Sequence, residues 1–104
     1  MARSGFRREL EQLQSELLKM GTLVEEQIYK AVKSMVNKDV ALAQEVLEND
    51  DIVDQMMLDI EAKCLSLIAL QQPMAKDLRS IGMALRFVID LERMGDHACG
   101  IAKI

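Results

Sequence analysis

The sequence predicts an all-α protein, an up-down-up antiparallel three-helix bundle that forms a single domain over residues 1–104. Apolar residues recur every three or four positions along most of the chain, which is the period of an amphipathic helix. One proline and five dispersed glycines leave few sites for the tight turns that strands require. Half of the residues are hydrophobic and 29% are charged, so the chain can bury a core and stay soluble.

The first helix is predicted over about residues 5–37. Its apolar stripe steps by threes and fours through Phe6, Leu10, Leu13, Leu17, Met20, Val24, Ile28, Ala31 and Met35. The polar segment 37–39 then breaks the pattern. Asp39 is suited to cap the next helix, because an aspartate side chain accepts hydrogen bonds from amides of the first turn.

The second helix is predicted over about residues 40–71. Its stripe consists of Ala43, Val46, Leu47, Val53, Met57, Ile60, Cys64 and Ile68. Pro73 ends it, because proline disfavours helical geometry at the preceding residue and is itself tolerated at a helix start. The third helix is therefore predicted over about residues 74–104, antiparallel to the second because the turn is short.

The third helix is apolar on two sides. Its first face carries Leu78, Ile81, Leu85 and Val88. A second strip, roughly opposite, carries Met83, Phe87, Leu91, Met94, Ala98 and Ile101. A helix with two apolar faces usually has partners on both sides, so this strip predicts contact with another copy or with a second repeat. The alternative is that the strip is the far side of a small core.

Carboxylates interrupt the apolar stripes of the second and third helices. At about 100° per residue, Asp50 and Asp54 fall within about 20° of Ala43 on the second helix and so lie within its apolar stripe. Glu92 and Asp96 fall within about 40° of the first face of the third helix. A buried, unpaired carboxylate is costly and tends to lose its charge by binding a proton.

The antiparallel hairpin places the two acid pairs at one height. Counted from a turn centred between residues 72 and 73, Asp54 lies 18.5 residues before and Glu92 lies 19.5 after. Asp50 lies 22.5 residues before and Asp96 lies 23.5 after. Four carboxylates that meet repel one another unless cations neutralise them, and oxygen ligands suit Mg²⁺, Ca²⁺, Mn²⁺ or iron. The sequence thus predicts a metal site at Asp50, Asp54, Glu92 and Asp96.

The alternative for these acids is that they face solvent or pair with Arg86 or Arg93. Glu61 also lies on the second helix's stripe but has no acid at its height, so it is interpreted as a structural residue that reaches past the rim. His97 lies in the polar strip of the third helix and is interpreted as a solvated surface side chain rather than a ligand.

Cys64 and Cys99 lack the spacing of a metal site and are interpreted as reduced core thiols. In the predicted register they are offset by 18 residues, or roughly 27 Å along the bundle. A disulfide needs Cα atoms within about 7 Å, so no bridge is expected within the chain.

The charge pattern restricts the partners. A net charge of −4 and the lack of any basic run beyond Arg7-Arg8 argue against binding to nucleic acid. The first residues are too polar for a signal peptide, and no apolar run is long enough to span a bilayer. We therefore expect a cytoplasmic protein without direct membrane insertion.

Two segments, CLSLIALQQPMAKDLR at residues 64–79 and DLERMGDHA at residues 90–98, closely resemble the PhoU family of phosphate-regulon regulators. The segment NDDIVD at residues 49–54 also matches, and the similarity extends weakly over the first helix. The resemblance implies a bundle of three-helix repeats that tends to dimerise. It also implies multinuclear metal clusters held by paired acid-xxx-Asp motifs, which fall here on Asp50 with Asp54 and on Glu92 with Asp96.

The resemblance further implies a regulatory adaptor of phosphate uptake. Such proteins repress the phosphate regulon by linking a phosphate ABC transporter to a sensor histidine kinase. The implied cofactors are metal ions, either multinuclear iron or manganese, magnesium, calcium or zinc. Family members typically contain two repeats and this chain covers one, so a homodimer could replace the second through Phe87, Leu91 and Met94.

Two other functions remain open. The chain could be a purely structural or oligomerisation bundle. It could also be a di-metal carboxylate enzyme, because helix bundles house such sites, but that class uses a glutamate with a histidine three residues later. No glutamate here has one, so the sequence favours a protein that is not an enzyme.

Overall fold

Three long helices form the fold: α1 (Ala2–Asn37), α2 (Val40–Gln71) and α3 (Ala75–Ala102). They come from a computed structural model that describes residues 2–71 and 75–103, and no strand occurs within those ranges. Each helix packs against both others in a bundle that measures 54 × 18 × 15 Å. The all-α three-helix prediction is confirmed, with helix bounds within three residues of those predicted. The predicted turn at residues 72–73 lies outside the described residues.

The turn between α1 and α2 is closed by its own backbone and by one side chain. Lys38 takes a left-handed conformation with a φ of 54°, and the Asp39 amide then donates to the Ser34 carbonyl at 2.9 Å. The Asp39 carboxylate accepts a hydrogen bond from the Leu42 amide at 3.1 Å, which confirms the predicted N-cap. This short connection makes α1 and α2 antiparallel neighbours.

A buried seam runs along each helix. On α1 it is formed by Phe6, Leu13, Leu17, Met20, Val24, Gln27, Ala31 and Ser34; on α2 by Val46, Val53, Ile60, Cys64 and Leu67; and on α3 by Ile81, Ala84, Val88, Leu91, Gly95 and Ala98. The buried positions are three, four or seven residues apart, which fits the 3.5-residue repeat of helices whose side chains interdigitate along one line. None of the described helices is long and apolar enough to cross a membrane.

The seam of α3 differs from the two predicted faces. Leu91 and Ala98, which we assigned to the second strip, are buried in this chain's own core, whereas Leu78 of the first face is exposed. The physical reason is drift: a 3.5-residue seam turns steadily relative to a straight 3.6-residue helix, so the core line runs between the two predicted faces. Of the predicted second strip, Met83, Phe87 and Met94 remain exposed, and Ile101 is half-buried.

Candidate metal centre

The acid cluster forms where α2 and α3 run side by side. Asp50 and Asp54 come from successive turns of α2, and Asp96 comes from the facing side of α3. One carboxylate oxygen from each of these residues lies within 4.8 Å of those from the other two. The matched heights predicted from the hairpin therefore bring these three side chains together.

Asp50 occupies a position that the α2 seam would otherwise give to an apolar residue, midway between the buried Val46 and Val53. Its Oδ1 atom is buried and has no hydrogen-bond partner among the described residues. Burial raises the pKa of Asp50, and the neighbouring charges of Asp54, Asp96 and Asp51 raise it further. A buried acceptor without a donor costs free energy, and such a cost calls for a compensating group.

Glu92 extends the cluster from α3, although it is not one of the trio whose oxygens lie within 4.8 Å. Burial raises the pKa of the Glu92 carboxyl, and a side-chain hydrogen bond with Asp96 adds to the effect. The charges of Asp96, Asp54 and Asp50 act in the same direction.

The cluster has no ion-pair partner of its own within the described chain. The ion pairs there join Lys30 to Glu45 at 2.9 Å and Lys63 to Glu16 at 2.8 Å. The alternative that Arg86 or Arg93 pairs with the acids is therefore not what the described residues show. The charge of Lys103 lowers the pKa of Asp50, but it is outweighed by burial and the other acids.

The donor set fits a hard cation. All the converging atoms are carboxylate oxygens, which are the ligands preferred by Mg²⁺, Ca²⁺, Mn²⁺ and iron. The unpartnered Oδ1 of Asp50 would gain the partner that it lacks, and the mutual repulsion of the acids would fall. Asp50, Asp54 and Asp96 would hold the ion, with Glu92 beside them.

Three residues lie next to this centre without having been predicted there. Gln27 of α1 is buried and bonds to α2. Gly95 is buried, and a Cβ added there would lie 3.2 Å from Val53 Cγ1. Cys99 is half-buried, and burial and the charge of Asp50 raise its pKa. Gln27 continues the three-and-four spacing of the α1 seam, which is a signal that could have found it.

The other predicted residues lie apart from the acids or at the rim. His97 is exposed, as predicted, and Glu61 is half-buried. Both cysteines are free thiols, but only Cys64 is a core residue as predicted, because Cys99 is half-buried. Cys64 lies in the core, where burial raises its pKa to about 11 and the charge of Glu61 contributes.

A separate apolar surface lies on the other flank of α3, where it packs against α1. We call it the α1–α3 face. A groove of about 390 Å³ opens there between Leu17, Leu18, Gly21, Thr22, Val24, Glu25, Ile28, Phe87, Leu91 and Met94. Leu18 is 73% exposed and Phe87 is 51% exposed, so large apolar side chains border the groove. Exposed apolar patches of this kind mark sites of protein contact.

Comparison with known proteins gives consistent matches over nearly the whole chain. Residues 17–104 match the family model described as the PhoU domain. A phosphate-specific transport system accessory protein PhoU homolog from Clostridium acetobutylicum is 47% identical, over 99% of this chain and 48% of its own length. The corresponding homolog from Aquifex aeolicus is 46% identical, over 92% of this chain and 43% of its own length.

Solved structures agree with the sequence matches. The crystal structure of PhoU from Pseudomonas aeruginosa superposes with a TM-score of 0.92 at 46% identity, over 94% of this chain and 47% of that one. The phosphate transport system regulatory protein PhoU from Streptococcus pneumoniae gives a TM-score of 0.88 at 39% identity, over 94% and 46%. The chain thus spans about half the length of the relatives that it matches.

Proposed function

Because the chain belongs to the PhoU family, we propose that it is a regulatory adaptor of phosphate uptake that binds metal ions through its acid cluster. The observation that supports the metal most directly is the buried Asp50 Oδ1, which lacks a partner beside the oxygens of Asp54 and Asp96. A bound cation would supply charge neutralisation and bridge α2 to α3. The ion is iron, in a multinuclear cluster, or manganese, magnesium, calcium or zinc.

The proposed partners follow from the family and from the names of the relatives. Those relatives are named as accessory proteins of a phosphate-specific transport system. We place this chain in the cytoplasm, between a phosphate ABC transporter and a sensor histidine kinase, where it acts as a negative regulator of the phosphate regulon. It does so by binding rather than by catalysis. In keeping with this, the exposed His97 lacks the buried, oriented setting of a catalytic base.

The α1–α3 face supports self-association as part of this function. It lies on the flank of α3 opposite the acids, so a second copy can cover it without blocking the cluster. We place a homo-oligomer contact there.

The metal proposal is tested by thermal unfolding of chelator-stripped protein with added Mn²⁺, Fe³⁺ or Ca²⁺. A ligand of the folded state stabilises it by RT ln(1 + [L]/Kd), about 2.7 kcal/mol at 100 times Kd. The melting temperature of the parent should therefore rise by roughly 10 °C or more for a domain of this size. The double variant Asp54→Asn with Asp96→Asn should lose this rise.

A charge-matched control separates ligand loss from a general change in charge. The double variant Glu48→Gln with Asp90→Asn removes two exposed acids from the same helices and should keep the metal-dependent rise. Without metal, the cluster variant should be more stable than this control, because it relieves repulsion at a partly desolvated site. If the parent shows no metal-dependent rise and the cluster variant is less stable, the acids are structural and the protein is a plain helical bundle.

A further inference from the structure

The fully buried apolar residues form two groups, which lie on either side of the acid cluster and are linked by the half-buried Ile28. The small cluster contains Ala31, Val46 and Ala98, and the large one begins with Val24, Val53 and Leu91. Between these two layers, the seam positions are Gln27 on α1, Asp50 on α2 and Gly95 on α3. None of the three helices therefore has an apolar side chain at its seam position in this layer. The same layer contains the unpartnered oxygen of Asp50.

Gln27 is the component of this layer that the metal proposal does not use. Its side chain is buried, with 1% of the residue exposed, and its Nε2 donates a hydrogen bond of 2.8 Å to the backbone carbonyl of Val46. Val46 lies four residues before Asp50, so this carbonyl is also the α-helical acceptor for the Asp50 amide. The bond thus ties α1 to the turn of α2 that ends at Asp50.

The bond restricts how α1 and α2 slide past one another. Next to it two of the three buried seam residues, Ala31 and Ala98, have small side chains, whose shapes define a register weakly. A slip of α1 along α2 would leave the buried Gln27 amide without an acceptor, which is unfavourable in an apolar layer. Together with the short α1–α2 turn and the Lys30–Glu45 ion pair, this directional bond fixes the height of this turn of α2.

We infer that Gln27 is a positioning residue of the acid cluster, which holds the Asp50 turn of α2 at the height at which its carboxylate meets Asp54 and Asp96. The inference rests on the proposed metal binding. Gln27 would act through the Val46 carbonyl and not as a ligand of the ion. Residues that contact a metal's ligands and orient them change metal affinity by roughly ten- to hundredfold when they are removed.

The test compares Gln27→Met with Ser34→Ala in the full chain. Methionine keeps the length of the side chain and removes the amide. Ser34 is the other buried polar residue of the α1 seam, but its hydroxyl donates to the Ala31 carbonyl of its own helix at 2.7 Å and does not reach α2. Mn²⁺ affinity is measured from the paramagnetic resonance signal of free Mn²⁺, and the stability of the metal-free protein is measured by urea unfolding.

Gln27→Met should raise the Kd for Mn²⁺ by roughly tenfold or more, while Ser34→Ala keeps it within about twofold of the parent. The loss of Mn²⁺ affinity should exceed anything that the change in metal-free stability explains. A purely structural role of Gln27 would instead change urea unfolding and leave the Mn²⁺ affinity of each folded molecule unchanged. Gln27→Asn shortens the side chain by one methylene and should also weaken Mn²⁺ binding. It replaces Gln27→Met in the test if the methionine variant does not fold.

The outcomes are distinguishable. If the parent binds Mn²⁺ and both Gln27 variants bind it as tightly, the positioning role is wrong while the metal proposal stands. If the parent itself does not bind Mn²⁺ or the other cations tested, the metal proposal fails and the role of Gln27 fails with it.

Discussion

Single residues on the α2–α3 contact show how the cluster is accommodated. Asp50 replaces an apolar residue in the seam, and its orphan oxygen is a local cost to the fold. Gly95 faces it from α3, and the absence of a side chain there lets Val53 approach closely. The small residue beside Asp96 therefore sets the distance across which α2 and α3 present their acids.

Substituting this glycine tests whether that close approach is required. Gly95→Ala would place a Cβ 3.2 Å from Val53 Cγ1, and valine has little freedom to move because its χ1 is restricted in a helix. Gly82→Ala on the same helix meets open space and should raise the free energy of unfolding by about 0.5–1 kcal/mol through helix propensity. Gly95→Ala should fall short of that gain by about 1 kcal/mol or more. If urea unfolding shows the same gain in free energy of unfolding for both variants, the contact between position 95 and Val53 can accommodate a Cβ.

At the scale of the helices, the α1–α2 connection is defined by specific hydrogen bonds. Asp39 caps α2 with its side chain and, through its amide, closes the end of α1 on the Ser34 carbonyl. Lys38, between the helices, takes the left-handed conformation that favours glycine. The turn therefore contains one residue that favours it, Asp39, and one with a strained backbone, Lys38.

Replacing the strained residue should stabilise the bundle. For an L-residue the left-handed conformation costs roughly 1–2 kcal/mol, and glycine avoids this cost but loses more backbone freedom on folding. Lys38→Gly should therefore raise the free energy of unfolding by about 0.5–1 kcal/mol. Gln44→Gly, at an exposed position inside α2, should lower it by about 0.5–1 kcal/mol. Urea unfolding measures both, and a loss at Lys38 would show that its side chain supports the turn.

At the scale of the whole molecule, the bundle is long and narrow and offers two chemically different surfaces on opposite flanks of α3. One is the acid cluster shared with α2, and the other is the α1–α3 face. The proposed adaptor role would use two separable surfaces of this kind, one to bind a cation and the other to bind a protein.

Sedimentation velocity tests the second surface. The parent should form a dimer at micromolar concentration, and Leu18→Ser with Phe87→Ser should give a monomer, because both side chains border the same apolar groove. The control is Leu58→Ser with Leu65→Ser on α2, where the leucines are 53% and 60% exposed and lie outside that groove. The control should remain dimeric. A parent that is monomeric at high micromolar concentration, or a control that dissociates equally, would contradict the assignment.

Much of this could be read from the sequence because it depends on local patterns and simple register. The apolar period predicts the helices, Asp39 predicts the start of α2, and the short turns predict antiparallel neighbours. Counting residues from the second turn is enough to place Asp50 and Asp54 at the height of Asp96. These features can be predicted because each depends on only one helix or one hairpin.

The tertiary structure decided what depends on three helices at once. Ile81 and Val88 of the predicted first face of α3 are buried, but so are Leu91 and Ala98 of the predicted second strip. Small differences between a 3.5- and a 3.6-residue repeat accumulate over the 28 residues of α3 and turn the core line from one face toward the other. The depth of Asp50, the partner of Gln27 and the close approach at Gly95 also depend on where α1 and α2 sit around α3. The sequence by itself determined which carboxylates lie at one height, whereas packing determined which oxygen is buried without a partner, because burial is a property of the neighbours rather than of the residue.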